Sequence, residues 1–110
     1  MKSIHENLMI LGVPRTVAKV VEVLADNEPH SLHEIEVAAD LRQAEVSIAV
    51  GSLTGVVSVS LGGSSKKGRP QKIVQMSREN YQEYVEGIVD LNRCKFENMM
   101  RAGNELLGEE

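Results

Sequence analysis

Apolar residues recur at helical spacing in the segment VPRTVAKVVEVLAD, where Val13, Val17, Val20, Val21 and Leu24 would share one face. Pro14 suits the first turn of that helix, because the N–H it lacks would have no intrahelical partner there. NEPH ends the helix, since Pro29 disfavours the helical conformation at Glu28. SLHE then has the form of a capping box: Ser31 can accept from the N–H of Glu34, and the Glu34 carboxylate can reach back to Ser31. The helix it opens runs to about Ala39, with Leu32, Ile35 and Ala39 turned inward. ADLRQ is a tight turn, and AEVSIAVGSL continues as a further helix with Val46, Ala49, Val50 and Leu53 as its buried stripe. Two short helices with an apolar corner form a helix-turn-helix pattern. Gly51 inside the second of them costs about 1 kcal/mol against Ala.

The period then changes. VVSVSL alternates, with Val57, Val59 and Leu61 on one face and Ser58 and Ser60 on the other, which predicts a half-buried strand. QKIVQM predicts a second strand. Between them GGSSKKGRP makes a glycine-rich turn, so the two strands form a hairpin. From Ser77, a suitable N-cap, the pattern is helical to about Leu107. Val85, Val89, Asn92, Phe96, Met99, Gly103 and Leu106 alternate spacings of four and three, a heptad seam widened by Ile88, Met100 and Leu107. A helix of about 30 residues spans about 45 Å, which is long for so small a chain. Its end is expected to project and to need a partner helix, with Asn92 fixing the register by pairing with its mate.

Composition sharpens this picture in two ways. The 110 residues, 42% hydrophobic and 25% charged, suit one globular domain, but the only aromatics are Tyr81, Tyr84 and Phe96. A core of Val, Ile, Leu, Ala and Met is thin for this length, so a partner that buries further apolar surface is expected. Charge is also unevenly placed. The net charge is −4, yet no acid occurs between Val46 and Arg78, where Lys66, Lys67, Arg69, Lys72 and Arg78 stand. The predicted hairpin tip, SSKKGRPQK, is the most basic stretch, while residues 78–110 carry eight acids against four cations. One surface therefore suits an anionic partner although the chain as a whole is acidic. The other reading of the tip is a solubilising polar turn.

Helix, helix-turn-helix, hairpin and long helix follow one another in the order of a winged helix-turn-helix domain. LGVPRTVAKVVEVLAD, LRQAEVSIAV and KKGRPQKIVQMS resemble segments of small archaeal winged helix-turn-helix transcriptional regulators, over roughly residues 8 to 77. The segment VGSLTGVVSVS departs from them, lacking the charged helix end and the aromatic or charged strand start such regulators usually carry. The resemblance implies an α+β, mostly α fold, DNA binding, dimerisation and transcriptional control. The expected organisation is a winged helix-turn-helix DNA-binding domain over residues 1–77 and a dimerisation helix over residues 78–110.

On this reading the second helix of the pair lies in the major groove. Its buried stripe leaves Arg42, Gln43 and Ser47 facing out, together with Gly51. Arg can pair with guanine and Gln with adenine through two hydrogen bonds each, and Ser47 can reach a base or a phosphate. Glu45 either accepts from cytosine or orients Arg42. Lys66, Lys67 and Lys72 would neutralise phosphates from the wing. Arg69, between Gly68 and Pro70, has the Gly-Arg-Pro form of an AT-hook core and suits a narrow, A·T-rich minor groove. Arg15 is a further phosphate candidate. The dimer interface is expected at Val85, Val89, Asn92, Phe96, Met99 and Leu106.

No nucleophile–base pair, phosphate loop or spaced carboxylate pair points to an enzyme, and no cofactor is implied. His30, His33 and Cys94 read as a solvated histidine pair and a packed thiol, so no metal site is expected. A single cysteine and the lack of a signal-like or membrane-spanning run suit the cytoplasm. The partners expected are double-stranded DNA and a second copy of the chain, with no membrane; an effector stays open. The alternative function is a winged-helix protein–protein interaction module, which the overall acidity and the weakly charged recognition helix would suit.

Overall fold

The computed structural model describes residues 2–64 and 70–108 of the chain. Its first element is a helix that the apolar pattern did not announce, α1 over Ile4–Ile10. A capping box opens it: the Ser3 hydroxyl accepts from the Glu6 N–H at 3.3 Å, and the Glu6 carboxylate accepts from the Ser3 N–H at 3.2 Å. One apolar side chain, Leu8, anchors it in the core, with Ile4 packed alongside. Too few apolar positions recur in so short a helix to set a visible period. The Glu22 carboxylate ties α1 to the next helix, accepting from the His5 N–H at 2.8 Å and pairing with the His5 ring.

That next helix, α2 over Arg15–Leu24, buries Ala18, Val20, Val21 and Leu24. Pro14 is its N-cap rather than a first-turn residue. The helix also stops short of Pro29. Asn27 takes a left-handed conformation at φ 65°, and the Asp26 carboxylate accepts from the Glu28 N–H at 2.9 Å, so a side-chain-stabilised turn ends it first. The turn is held to the far end of the sheet: the Asn27 amide donates to the Met76 carbonyl, and the Gln75 amide donates to the Asn27 carbonyl.

The helix-turn-helix follows as predicted. α3 spans Leu32–Ala39 and α4 spans Gln43–Ser52, with Asp40 between them in the left-handed region at φ 54°. Ile35, Val46, Ala49 and Leu53 are buried against α2, as the pattern required. The capping box at Ser31 forms, with the Glu34 N–H donating to Ser31 Oγ at 3.1 Å and the Ser31 N–H donating to Glu34 at 3.0 Å. These bonds, with the backbone one foremost, hold the Glu34 carboxyl below its ordinary pKa. Hydrogen bonds to Ser3 lower Glu6 in the same way. At Asp26 burial acts to raise the carboxyl, but the Glu28 N–H and the His30 ring outweigh it and hold it down. All three groups therefore contribute stability that is present above the ordinary carboxylate range and is lost as pH falls through the lowered values. The thermal midpoint is expected to drop progressively as the buffer is taken below about pH 4. Ser31→Ala is expected to cost about 1 kcal/mol in urea unfolding at neutral pH, whereas Glu34→Gln keeps the box and removes only its share of the acid dependence.

The sheet has three strands rather than the hairpin's two. β1, the pair His30–Ser31, β2 over Ser58–Ser64 and β3 over Pro70–Gln75 run in the order β1-β3-β2, all antiparallel. β1 is too short to carry an alternation, and only its pairing with Ile73 and Val74 creates it. This order also corrects the expectation of a half-buried β2. The central strand β3 carries Val74 into the core, with Met76 just beyond it, while β2 lies at the edge and leaves the core behind along its length. Val57 packs against the core, but Val59 is 52% exposed and Leu61 68%.

Ser77 caps α5, Arg78–Leu106, accepting from the Asn80 N–H at 3.1 Å. Tyr81, Tyr84 and Ile88 pack on the core, and burial raises the Tyr84 hydroxyl above its ordinary pKa. The rest of the helix extends away, giving a molecule 68 Å long and about 26 Å across. No helix among the described residues is long and apolar enough to cross a membrane.

Candidate nucleic-acid interface

Arg42 stands before α4 as its N-cap, in extended backbone at φ −82°, ψ 156°. Its N–H donates to the Glu45 carboxylate at 3.0 Å, which settles the local role of Glu45 as the acid that closes the first turn. With Val46, Ala49 and Leu53 buried, α4 presents Gln43, Ala44, Ser47, Ile48 and Gly51 to the outside. Ile48, 74% exposed, is a candidate contact the sequence reading left out. The signal was the phase of the helix: once the buried stripe is known, the opposite face must include position 48.

The wing brings charge to this face. Glu45 is the only charged residue within α4 itself, and Lys72 of β3 is the cation that borders the same face. A shallow depression of about 350 Å³ is bordered by Leu32, His33 and Glu36 of α3, Gln43 of α4, and Gln71 and Lys72 of β3. A smaller one, about 170 Å³, is bordered by Leu32, Ser47, Val50, Gly51, Val59, Lys72 and Val74. Lys72 and Leu32 line both. The fold thus gathers Gln43, Ser47 and Lys72 on one side of the molecule, from segments separated by the whole of β2. Arg15 is exposed at the start of α2, and neither depression includes it or Arg42. Lys66, Lys67 and Arg69 lie outside the described residues.

This arrangement, a helix-turn-helix whose second helix shares an open face with an antiparallel wing, has counterparts among solved structures. A possible transcriptional regulator from Methanosarcina mazei Go1 superposes with a TM-score of 0.60 at 15% identity, covering 96% of this chain and 88% of that one. MepR of S. aureus, solved as a complex with DNA, gives 0.55 at 13% identity over 94% and 85% of the two chains. A MarR-family transcriptional regulator from Silicibacter pomeroyi DSS-3 gives 0.53 at 14% over 92% and 70%. The fold is that of the MarR-type winged-helix regulators. No protein-family model and no curated protein matches the chain in sequence.

Two further expectations are revised. His30 is not a solvated partner of His33: its ring bonds the Asp26 carboxylate at 2.8 Å, on the other side of the α2–β1 turn. Cys94 is exposed rather than packed. Among the described residues no group of histidine, cysteine and carboxylate side chains could hold a metal ion.

The long helix divides along its length. Val85 and Asn92 are half-buried, and Val89 is marginally exposed. The Asn92 amide donates to the Leu11 carbonyl at 2.8 Å and to the Ile88 carbonyl at 2.9 Å, joining α5 to the corner between α1 and α2. Both of its amide N–H groups are thereby engaged within one chain. Beyond it Phe96, Met99 and Leu106 are 62%, 70% and 89% exposed, and Met100 and Leu107 accompany them.

Proposed function

We propose that the chain is a homodimeric transcriptional regulator that binds double-stranded DNA by sequence, with residues 1–77 as the binding domain and 78–110 as the dimerisation helix. The observation that carries this reading is the convergence of Gln43 and Ser47 on α4 with Lys72 on the wing. An outward helix face of helical length fits the major groove, where Gln43 can pair with adenine, Arg42 with guanine, and Ile48 can rest on a thymine methyl. The wing then tracks the backbone with Lys72, Lys66 and Lys67, and Arg69 reaches the minor groove. Net acidity is no obstacle, because affinity depends on the local field, and the net negative charge falls in residues 78–110, while residues 1–77 are neutral overall. Two paired binding domains favour a nearly palindromic site with half-sites about one helical turn, ~34–36 Å, apart.

Titration of variants against a selected duplex and an unrelated one tests the division of labour. Gln43→Ala is expected to weaken the selected duplex by about 1–3 kcal/mol and leave the unrelated one unchanged. Lys66→Ala and Lys67→Ala are expected to weaken both alike and to lower the salt slope by about 1 each. Equal loss on both duplexes for Gln43→Ala would count against base reading by α4. The exposed Val59 and Leu61 on the wing's edge strand suit the protein-interaction module instead. That reading takes over if the protein binds no duplex even at low salt.

A further inference from the structure

The two depressions that meet at Lys72 differ in chemistry. The larger is lined by groups that donate hydrogen bonds from three directions: the His33 ring on α3, the Gln43 amide on α4, and the Gln71 amide and Lys72 ammonium on β3. The smaller is walled by Leu32, Val50, Val59 and Val74, with Ser47 at its side. An anion followed by a short apolar group would match the pair in order. A nucleic-acid strand offers that sequence at every step, as phosphate and then sugar.

We propose that the larger depression seats a backbone phosphate of the DNA strand lying between α4 and the wing, and that the smaller receives the neighbouring deoxyribose. This rests on the DNA-binding reading and extends it to His33 and Gln71, which lie on elements outside the recognition helix. It also accounts for Val59, which is apolar yet 52% exposed in the free chain. A deoxyribose presents only carbon and hydrogen at its 2′ position, so an apolar wall suits it. Glu36 is the one acid lining the larger depression, and it opposes a phosphate.

The test uses duplexes in which single phosphates of each half-site are replaced in turn by uncharged methylphosphonates. The wild type is expected to lose several-fold affinity at one linkage in particular. His33→Ala and Lys72→Ala are expected to bind the unmodified duplex several-fold more weakly and to lose the distinction at that linkage. The salt slope of Lys72→Ala is expected to fall by about 1. Glu36→Gln is expected to bind several-fold more tightly. His33 and Lys72 are exposed, so unchanged melting temperatures verify that the variants fold. If the wild type binds duplex but no single linkage matters, or if His33→Ala and Lys72→Ala keep the wild-type linkage profile, the seat is overturned and the DNA reading stands. A wild type that binds no duplex overturns both.

Discussion

Phe96→Glu is expected to leave the protein monomeric at micromolar concentrations where the wild type sediments as a dimer. The same change is expected to weaken binding to a two-half-site duplex by about 100-fold or more, because a second, tethered contact is lost. Phe96, Met99, Met100, Leu106 and Leu107 lie on the part of α5 that has left its own core, and each is at least half exposed. A continuous apolar stripe of this length is uncommon on a soluble monomer and marks an interaction surface. A carboxylate within it would have to be buried unpaired in the interface. Since Phe96 is 62% exposed within one chain, the substitution leaves the fold of the protomer intact, and circular dichroism is expected to report unchanged helix. Sedimentation velocity of both proteins decides the matter. A wild type that sediments as a monomer would remove the basis for the dimer.

Ile35→Ala is expected to lower the unfolding free energy by about 2–5 kcal/mol, a large part of the roughly 5–15 kcal/mol that holds a domain together. Ile35 is fully buried on α3, the helix that packs against α2, α4 and β3. Truncation leaves a cavity at the point where the helix-turn-helix meets the sheet, so the loss combines transfer and cavity contributions. Val37, two residues on, is 69% exposed and provides the control. Val37→Ser is expected to stay within about 0.5 kcal/mol of the wild type. Urea unfolding at one fixed protein concentration compares the three, since any dimerisation makes the midpoint concentration-dependent. Equal midpoints for Ile35→Ala and the wild type would contradict the packing described for α3.

Much of the architecture follows from local patterns that need no tertiary information. Val20, Val21 and Leu24 on α2, Ile35 and Ala39 on α3, and Val46, Ala49 and Leu53 on α4 occur at helical spacing, and burial follows that spacing closely. The caps at Ser31 and Ser77 are local too, because the residues that satisfy the free N–H groups lie within one turn. The acid-free run from Val46 to Arg78 marked which end of the molecule could meet an anion.

What the tertiary structure decided is of a different kind. β1 exists only because Val74 and Ile73 pair with it, and two residues cannot carry a period. Val and Ser alternate along β2, but whether an apolar face is buried depends on what lies opposite. The strand order placed β2 at the edge, so Val59 and Leu61 stayed exposed. Asn92 fits a heptad seam by spacing alone, yet the turn between α1 and α2 offered the Leu11 carbonyl as a partner within the chain. The face that gathers Gln43, Ser47, Lys72 and His33 was likewise hidden, because these residues come from α3, α4 and β3 and meet only once the sheet packs against the helix pair. Spacing along a chain determines which side of an element is apolar; only the packing of elements determines which side chains become neighbours.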